Sequence, residues 1–358
     1  MNTVTDPSAR DETREKARVT LARIHAGLES RVVPMVGQVV RIIRDISGKA
    51  DRMSVNDLAE SINSEPTTMG RIVSMAGSVG FNSHGAEIKS IHHAISLIGF
   101  DRVRSLAISI LLFEHAQSDH TAAANRELAG AAFVGGLVSS EMARRVMMVD
   151  PELAFICGAL RGYGRMLAAT FLPAEYARSL KSANPENPDA SFKAEFGLAP
   201  LDLARQLLGG MQMPKAITAT FVRLSPPTRR RAAGNATTGL IAAAEMGLRT
   251  AELLQTPGLT IDGFEVRMEH LSREYDAPFL LTRTGARELL QLLVNVLECF
   301  RFRAGSYVGA VQLFRRIERL MSEHPQPAAA EFRPVVPPAP APLAPPPPPK
   351  PAIGDFDI

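Results

Sequence analysis

Apolar side chains recur every three or four residues through most of the chain, which is the spacing of one face of an α-helix. In two consecutive segments the apolar residues stand at i, i+3, i+4 and i+7. They are Ile91, Ala94, Ile95 and Ile98, and then Val103, Leu106, Ala107 and Ile110. Each segment has one apolar stripe to bury, so the pattern predicts two packed helices. Gly99 is expected to stop the first helix and Asp101 to cap the second.

Further helix signals occur along the chain. Asp150-Pro151-Glu152 supplies an N-cap, a first-turn proline and a first-turn acid in succession. Residues 237–254 predict a helix that packs back onto the rest, and the pattern from Leu289 to Met321 predicts one or two helices that close the C-terminal region. Strand-like alternation flanked by turn residues is not convincing anywhere. The predicted fold class is all-α.

The two ends of the chain differ from its centre. Residues 1–17 lack apolar periodicity and are expected to be disordered. Residues 325–358 hold 13 of the chain's 26 prolines, which predicts an extended, disordered, proline-rich tail because proline fixes φ and lacks a backbone donor. The final residues, 354–358, are either a short docking motif or a plain disordered end.

Composition narrows the class of protein. The hydrophobic content of 46% suffices for a core, and no apolar run approaches the roughly 20 residues of a membrane span. No secretory signal is evident at the N-terminus, so we predict a cytoplasmic protein without membrane insertion. The net charge of +3 favours anionic partners only weakly. Cys157 and Cys299 stand in apolar helical patterns, which predicts small buried side chains rather than a disulfide or a zinc site.

Several blocks resemble one known family. They are SEPTTMGRIVSMAGSVGFN (64–82), IKSIHHAISLIGFDRVRSLAISILL (88–112) and AFICGALRGYGRMLAATFLPAEYA (154–177). In this order they resemble the HDOD domain, the HD-related output domain of bacterial signalling proteins, over residues 31 to about 225. The resemblance implies two packed helical subdomains, the second related to HD phosphohydrolases. We place them at 18–118 and 119–232, followed by a helical extension at 233–324.

The resemblance also implies that the metal ligands of an HD enzyme are missing. The His-Asp pair falls on Arg161 and Gly162, and Glu127 stands near the position of an earlier histidine. Arginine is not a neutral ligand and glycine has no donor atom in its side chain. No histidine occurs between His120 and His270. We therefore predict no catalytic residue, no metal and no cofactor, although a carboxylate-only magnesium site is conceivable.

Two groups of residues are candidates for binding. Arg161, with Tyr163 and Arg165 at the mouth of the remnant cleft, could accept an anionic small molecule such as a nucleotide. Alternatively, Arg161 forms a salt bridge, for example with Glu127, and fills the old site. The arginines of a Pro-Pro loop form either an anion or partner surface or a solvated loop. These arginines are Arg223, Arg229, Arg230 and Arg231. Arg102 and Arg104 are expected to project from their helix towards a partner or local acids.

Three functions remain open at this stage. The first is a non-catalytic signalling or regulatory module that acts through protein contacts, with the proline-rich tail as tether or ligand. The second is a divergent phosphohydrolase or nucleotide-binding protein that uses the remnant cleft. The third is a nucleic-acid-associated regulator that uses the arginine surface. Metal content and phosphodiester hydrolysis separate the first from the second, and salt-dependent nucleic-acid binding tests the third.

Overall fold

A computed structural model of the chain describes residues 7–29, 54–63, 72–73, 88, 90–115, 122–182, 187–210, 213–304 and 311–322. Within these ranges the regular elements are helices and no β-strand occurs, which confirms the all-α prediction. The α-helices are α1 Pro7–Glu29, α2 Val55–Asn63, α3 Ile91–Ile98, α4 Phe100–His115, α5 Ala122–Ala143, α6 Pro151–Arg161, α7 Tyr163–Phe171, α8 Pro173–Lys181, α9 Pro188–Phe196, α10 Pro200–Gly210, α11 Lys215–Thr218, α12 Pro226–Arg229, α13 Ala236–Leu254, α14 Ile261–Ser272, α15 Arg283–Ala304 and α16 Gln312–Ser322.

The two apolar stripes predicted in the sequence form α3 and α4, which pack against each other. The side chain of Ser90 accepts a hydrogen bond from His93 N and so caps α3. Gly99 ends α3 with a φ of +92°, a backbone conformation that favours glycine, and the predicted helix stop is confirmed. The prediction that Asp101 is the N-cap of α4 is wrong. Since α4 already begins at Phe100, Asp101 lies inside its first turn.

The centre of the molecule is the packing of α5, α6 and α13, which contact one another extensively. Helix α6 begins as predicted, with the Asp150 side chain accepting a hydrogen bond from Glu152 N at 2.9 Å. Helix α13 extends over 236–254, which confirms that this segment packs back onto the bundle. It follows that the segment beyond residue 232 is no separate appendage, because its first helix completes the core built by α5 and α6.

Close approach of these three helices depends on small residues. A Cβ atom built on Gly247 of α13 would lie 2.1 Å from Ser139 Oγ and 2.2 Å from Gly135 O, both on α5. One built on Gly158 of α6 would also lie 2.1 Å from Ser139 Oγ. Ser139 itself donates to Gly135 O at 2.6 Å, so its hydroxyl is satisfied within α5. The backbones are therefore closer than any larger side chain permits.

The N-terminal helix corrects one expectation. Residues 7–17, expected to be disordered, form the first half of α1. This helix packs on α7, α9 and α10, and Thr20 Oγ1 donates to Phe196 O of α9 at 3.0 Å. Arg23 also pairs with Glu175 of α8 at 2.7 Å. The polar composition of residues 7–17 hid this half of the helix, because its described side chains, 11–17, are exposed or half-buried. The fully buried Ile24 lies in the second half.

The C-terminal pattern resolves into α15 and α16, two helices, which agrees with the prediction of one or two. Together with the preceding helices they belong to one compact unit within residues 1–324. The proline-rich segment 325–358 lies outside the described residues. In the described part of the chain, no helix combines the length and the apolar character needed to cross a lipid bilayer.

Candidate functional site

The side chain of Arg161, the last residue of α6, is fully buried. Its guanidinium group donates to two backbone carbonyls of the segment that follows α11. Nη1 donates to Thr220 O, and Nη2 donates to Val222 O at 2.5 Å. The same Nη2 lies 3.6 Å from Glu245 Oε2 of α13. Burial lowers the pKa of Arg161 to about 10, although Glu245 opposes this shift. The group therefore stays charged at neutral pH.

Glu245 is the partner that compensates this buried charge. It is the only acid in the apolar centre of α13, and its side chain is 1% exposed. Besides its contact with Arg161, it accepts a hydrogen bond from Leu224 N at 3.0 Å and from Arg229 Nη2. One carboxylate thus connects the end of α6, the loop before α12 and α12 itself. A lone acid within an apolar helical run was the sequence signal for this residue, and sequence reasoning missed it.

The ion pairs continue beyond Glu245 towards the surface. Arg229 Nη1 contacts Glu274 Oε2 at 2.7 Å, and its guanidinium carbon lies 5.7 Å from the centroid of the Tyr275 ring. Arg249 of α13 binds both carboxylate oxygens of Glu274, at 2.6 and 2.7 Å. The hydrogen bond from Arg249 holds the pKa of Glu274 below its ordinary value. We call Arg161, Glu245, Arg229, Glu274 and Arg249 the buried arginine network.

A second cluster lies beside it. Asp189, at the start of α9, accepts from Arg165 Nη2 at 2.7 Å and from Arg223 Nη2. Arg165 also lies 3.7 Å from Glu252 of α13, and burial raises the pKa of Glu252 above its ordinary value. The two arginines are therefore each matched to an acid in this cluster. Their charges stabilise the contact of α7, α9 and α13 and are not left for a free anion.

The predicted partner of Arg161 was wrong. Glu127 accepts hydrogen bonds from Gln312 N at 2.6 Å and Leu313 N at 3.2 Å, so it caps the N-terminus of α16. The salt bridge of Arg161 instead uses Glu245, which no spacing rule connects to it. The geometry agrees with the alternative in which Arg161 forms a salt bridge and fills the position of the old metal site. The acid of that salt bridge is Glu245 and not Glu127.

The remaining residues of the expected cleft do not form an open mouth. Gly162 joins α6 to α7, and Tyr163 is fully buried at the start of α7. Burial raises the pKa of Tyr163 above its ordinary range. A Cβ atom on Gly164 would lie 2.0 Å from Pro200 O, so this glycine permits the close contact of α7 and α10. The small-residue break serves helix packing.

The four arginines in and around the Pro-Pro loop differ in whether they form ion pairs. Arg223 and Arg229 form the ion pairs described above. Arg230 and Arg231 are exposed and make no ion pair within the described residues. The expectation that Arg104 projects from α4 towards a partner was wrong, since this side chain is buried at 3% exposure. The side chain of Arg102 lies outside the described residues.

Ligand-type residues are dispersed. His25, His93 and His270 are exposed, and the ring Nε2 of His92 hydrogen-bonds to Asn56 Oδ1 at 2.9 Å. Within the part of the chain that the structure describes, no group of three His, Cys, Asp or Glu side chains is arranged to hold a metal ion. His84, His120 and His324, together with the side chain of His115, lie outside the described residues.

Comparison with known proteins identifies the family. The HDOD domain model matches residues 33–223, which is more than half of the chain. The chain belongs to the HDOD family. Arg161 and the carbonyls of Thr220 and Val222 lie inside the matched segment, whereas Glu245 of α13 and Glu274, in the turn after α14, lie beyond it. The buried arginine network therefore ties the HDOD domain to its C-terminal helices.

Solved structures agree with this assignment at the level of the fold. An HDOD domain protein of unknown function from Geobacter sulfurreducens is 15% identical, covers 82% of this chain and 98% of its own, and has a TM-score of 0.58. A protein from Shewanella amazonensis SB2B, provisionally described as a phosphohydrolase, is 14% identical, with coverages of 81% and 99% and a TM-score of 0.53. A protein from Marinobacter aquaeolei VT8, provisionally described as a signal transduction protein, is 18% identical, with coverages of 88% and 65% and a TM-score of 0.51. No curated protein sequence matches the chain.

Proposed function

We propose that this HDOD protein is a non-catalytic signalling module that acts through protein contacts. The single observation that carries the proposal is the side chain of Arg161. It is buried, it is charged, and it is bound to two carbonyls and to Glu245 at the position where the resemblance to HD enzymes expects a His-Asp pair. A charged guanidinium group at that position repels a divalent cation, which hydrolysis of a phosphate ester by an HD enzyme requires.

The same contacts argue against a nucleotide in the remnant cleft. A phosphate group bound by Arg161 would have to replace Thr220 O and Val222 O and approach the carboxylate of Glu245. Leaving those carbonyls and that carboxylate buried without donors costs more than a surface phosphate contact returns. The arrangement thus favours a structural role for Arg161, in which the remnant site holds α6, α13 and the loop before α12 together.

A signalling role is consistent with the family and with the description of the Marinobacter aquaeolei VT8 protein of similar fold. For such a role the surfaces carry the function, and the core has to hold them in place. The extension helix α13 contributes Glu245 to this core, so the surfaces of the matched domain and of its C-terminal helices are coupled through one set of ion pairs.

Two measurements on the purified full chain test the absence of catalysis. We expect elemental analysis to find no stoichiometric iron, manganese or zinc. We also expect hydrolysis of bis(p-nitrophenyl) phosphate, with added manganese or magnesium, to match the rate of a mock purification from cells that lack the chain, which controls for contaminating hydrolases. A metal ion bound at one per chain, together with a hydrolysis rate that a chelator abolishes, would overturn the proposal.

Protein contact is tested separately in the native cell. Affinity capture with the full chain, compared with a chain that lacks residues 325–358, is expected to recover a stoichiometric protein partner and to show which part of the chain binds it. Recovery of nucleic acid in place of a protein, lost as the salt concentration rises, would favour the nucleic-acid alternative instead.

A further inference from the structure

The turn after α5 exposes two large apolar side chains, and the segment before α15 exposes a third. Of the seven large apolar side chains that the described residues leave exposed, three are Met147, Met148 and Leu280. Met147 is completely exposed, at 104%, and Met148 and Leu280 are 54% and 46% exposed. Scattered exposed apolar residues need no explanation, but a group of them on one surface marks an interaction site.

Direct contacts bring together the chain segments that carry these residues. Arg145 Nη1 donates to Leu280 O at 3.2 Å, which brings the turn after α5 to the segment before α15. In the same turn, Val149 packs on Gly239 of α13, where a Cβ atom would lie 2.9 Å from Val149 Cγ2 and 3.5 Å from Ala232 O. Three chain segments therefore meet at this end, namely 144–149, 230–233 and 276–280.

The charge on this surface is positive. Arg145 is exposed and donates to a carbonyl rather than to a carboxylate. Arg230 and Arg231 are exposed and have no ion pair within the described residues. Asp276 is the only acid on the three segments, and its Oδ2 accepts from Ala233 N at 2.8 Å. Of the acids beside them, Asp150 caps α6, and Glu141 lies 3.7 Å from Arg144 and is also close enough to Arg145 to interact with its charge. We call Arg145, Met147, Met148, Arg230, Arg231 and Leu280 the Met147 surface.

We propose that the Met147 surface binds an acidic, amphipathic segment of a partner protein. This inference deepens the proposed function, on which it rests, by naming the surface and the chemistry of the partner. Methionine side chains adapt their shape to a partner's apolar face, and the three arginines complement carboxylates at its rim. Arginine also pairs with carboxylates through two parallel hydrogen bonds, which fixes the orientation of the bound segment.

Fluorescence anisotropy with two synthetic probes tests the proposal on the full chain. One probe is a labelled amphipathic helix with leucine on one face and glutamate on the other, and its counterpart has lysine in place of glutamate. We expect the glutamate probe to bind with an affinity that falls as salt rises, and the lysine probe not to bind. Met147→Asp, and separately R230E with R231E, should each weaken binding of the glutamate probe about tenfold or more.

The control is Leu180→Asp, because Leu180 is another exposed large apolar side chain, at 51%, but lies on α8. This variant should bind the glutamate probe as the parent protein does. Equal binding of both probes, or equal losses from Met147→Asp and Leu180→Asp, would overturn the proposal. Displacement of the glutamate probe by a DNA duplex at lower concentration than by the unlabelled peptide would also overturn it, because the surface would then bind nucleic acid. A dimer that Met147→Asp converts to a monomer would overturn it as well, because the surface would then bind a second copy of the chain.

The two proposals fail in different ways. A metal-dependent hydrolase that still binds the glutamate probe through Met147 would contradict the proposed function and leave the binding surface intact. A metal-free, inactive protein that does not bind the glutamate probe would contradict only the proposal for the Met147 surface.

Discussion

Arg161 and Glu245 face each other across α6 and α13, with 3.6 Å between Nη2 and Oε2 and with both side chains almost completely withdrawn from solvent. Each is also bound elsewhere, Arg161 to two backbone carbonyls and Glu245 to Leu224 N and Arg229. Burial of two charges is unfavourable unless their remaining hydrogen-bonding groups are satisfied. Most hydrogen-bonding groups of Arg161 and Glu245 are satisfied, so the pair connects three chain segments.

Removal of this arginine is expected to destabilise the protein strongly. Arg161→Ala leaves two buried carbonyls without donors and Glu245 without one of its two cations, and we expect a loss of about 3–5 kcal/mol in the free energy of unfolding. Arg161→Lys should restore little, since an ammonium group does not reproduce the two parallel donors. Urea denaturation followed by circular dichroism measures the change.

The control for Arg161→Ala is Arg178→Ala, which breaks an exposed ion pair with Glu195 on the surface of α8 and α9. We expect its urea midpoint to stay close to that of the parent chain. If the two substitutions shift the midpoint equally, Arg161 does not connect the core in the way its contacts indicate.

Gly247 offers a separate test of the helix packing. Gly247→Ala puts a methyl group 2.1 Å from Ser139 Oγ and 2.2 Å from Gly135 O, and a carbonyl of the backbone has little freedom to move away. We expect a destabilisation of about 1–3 kcal/mol. Gly209→Ala is the matched control, because nothing lies within 4 Å of a Cβ atom at that position of α10. Thermal denaturation of both variants should show a lower midpoint for Gly247→Ala alone.

Local patterns in the sequence predicted much of the fold and little of the site. The stripes of α3 and α4, the cap at Asp150 and the helix over 237–254 follow from neighbouring residues, and the structure contains all three. The ion pair of Arg161 with Glu245 joins residues far apart in the chain, and only the packing of α6 against α13 brings them together. The first half of α1, residues 7–17, was missed because its polar residues gave no apolar period.

Glu274 should make stability depend on pH. Its folded-state pKa is lowered, chiefly by the hydrogen bond from Arg249, so the unfolded chain binds the proton first as the pH falls. Its contribution is fully present above the unfolded pKa of about 4.3 and is lost as the pH falls through the lower folded value. We expect Glu274→Gln to be less stable than the parent chain at pH 7 and the difference to shrink in acid.

Urea denaturation of both proteins between neutral pH and about pH 3 measures this difference. Glu298→Gln is the control, since Glu298 is exposed on α15 and makes no ion pair within the described residues. It should leave the urea midpoint nearly unchanged at every pH. A stability gap between the parent and Glu274→Gln that stays constant into acid would show that the loss comes from packing and not from the charge of Glu274.

The rate at which the Cys157 thiol reacts measures how often the core around Arg161 opens. This thiol is fully buried on α6, which confirms its prediction as a small buried side chain, whereas the side chain of Cys299 lies outside the described residues. Burial raises the pKa of Cys157 to about 12, while a hydrogen bond with Thr220 and the charge of Arg161 oppose the shift. The buried thiol is therefore almost entirely protonated at pH 8, and the thiolate is the reactive form.

We therefore expect a Cys299→Ser chain to react with Ellman's reagent only through opening of its folded state, far more slowly than the same chain in urea. Arg161→Ala in this background should raise the rate as the stability falls, because opening becomes more frequent. Arg178→Ala again provides the comparison and should leave the rate unchanged. Rapid reaction of the parent thiol in the folded protein, unaffected by Arg161→Ala, would mean that solvent reaches α6 without any opening and that Arg161 does not close this part of the core.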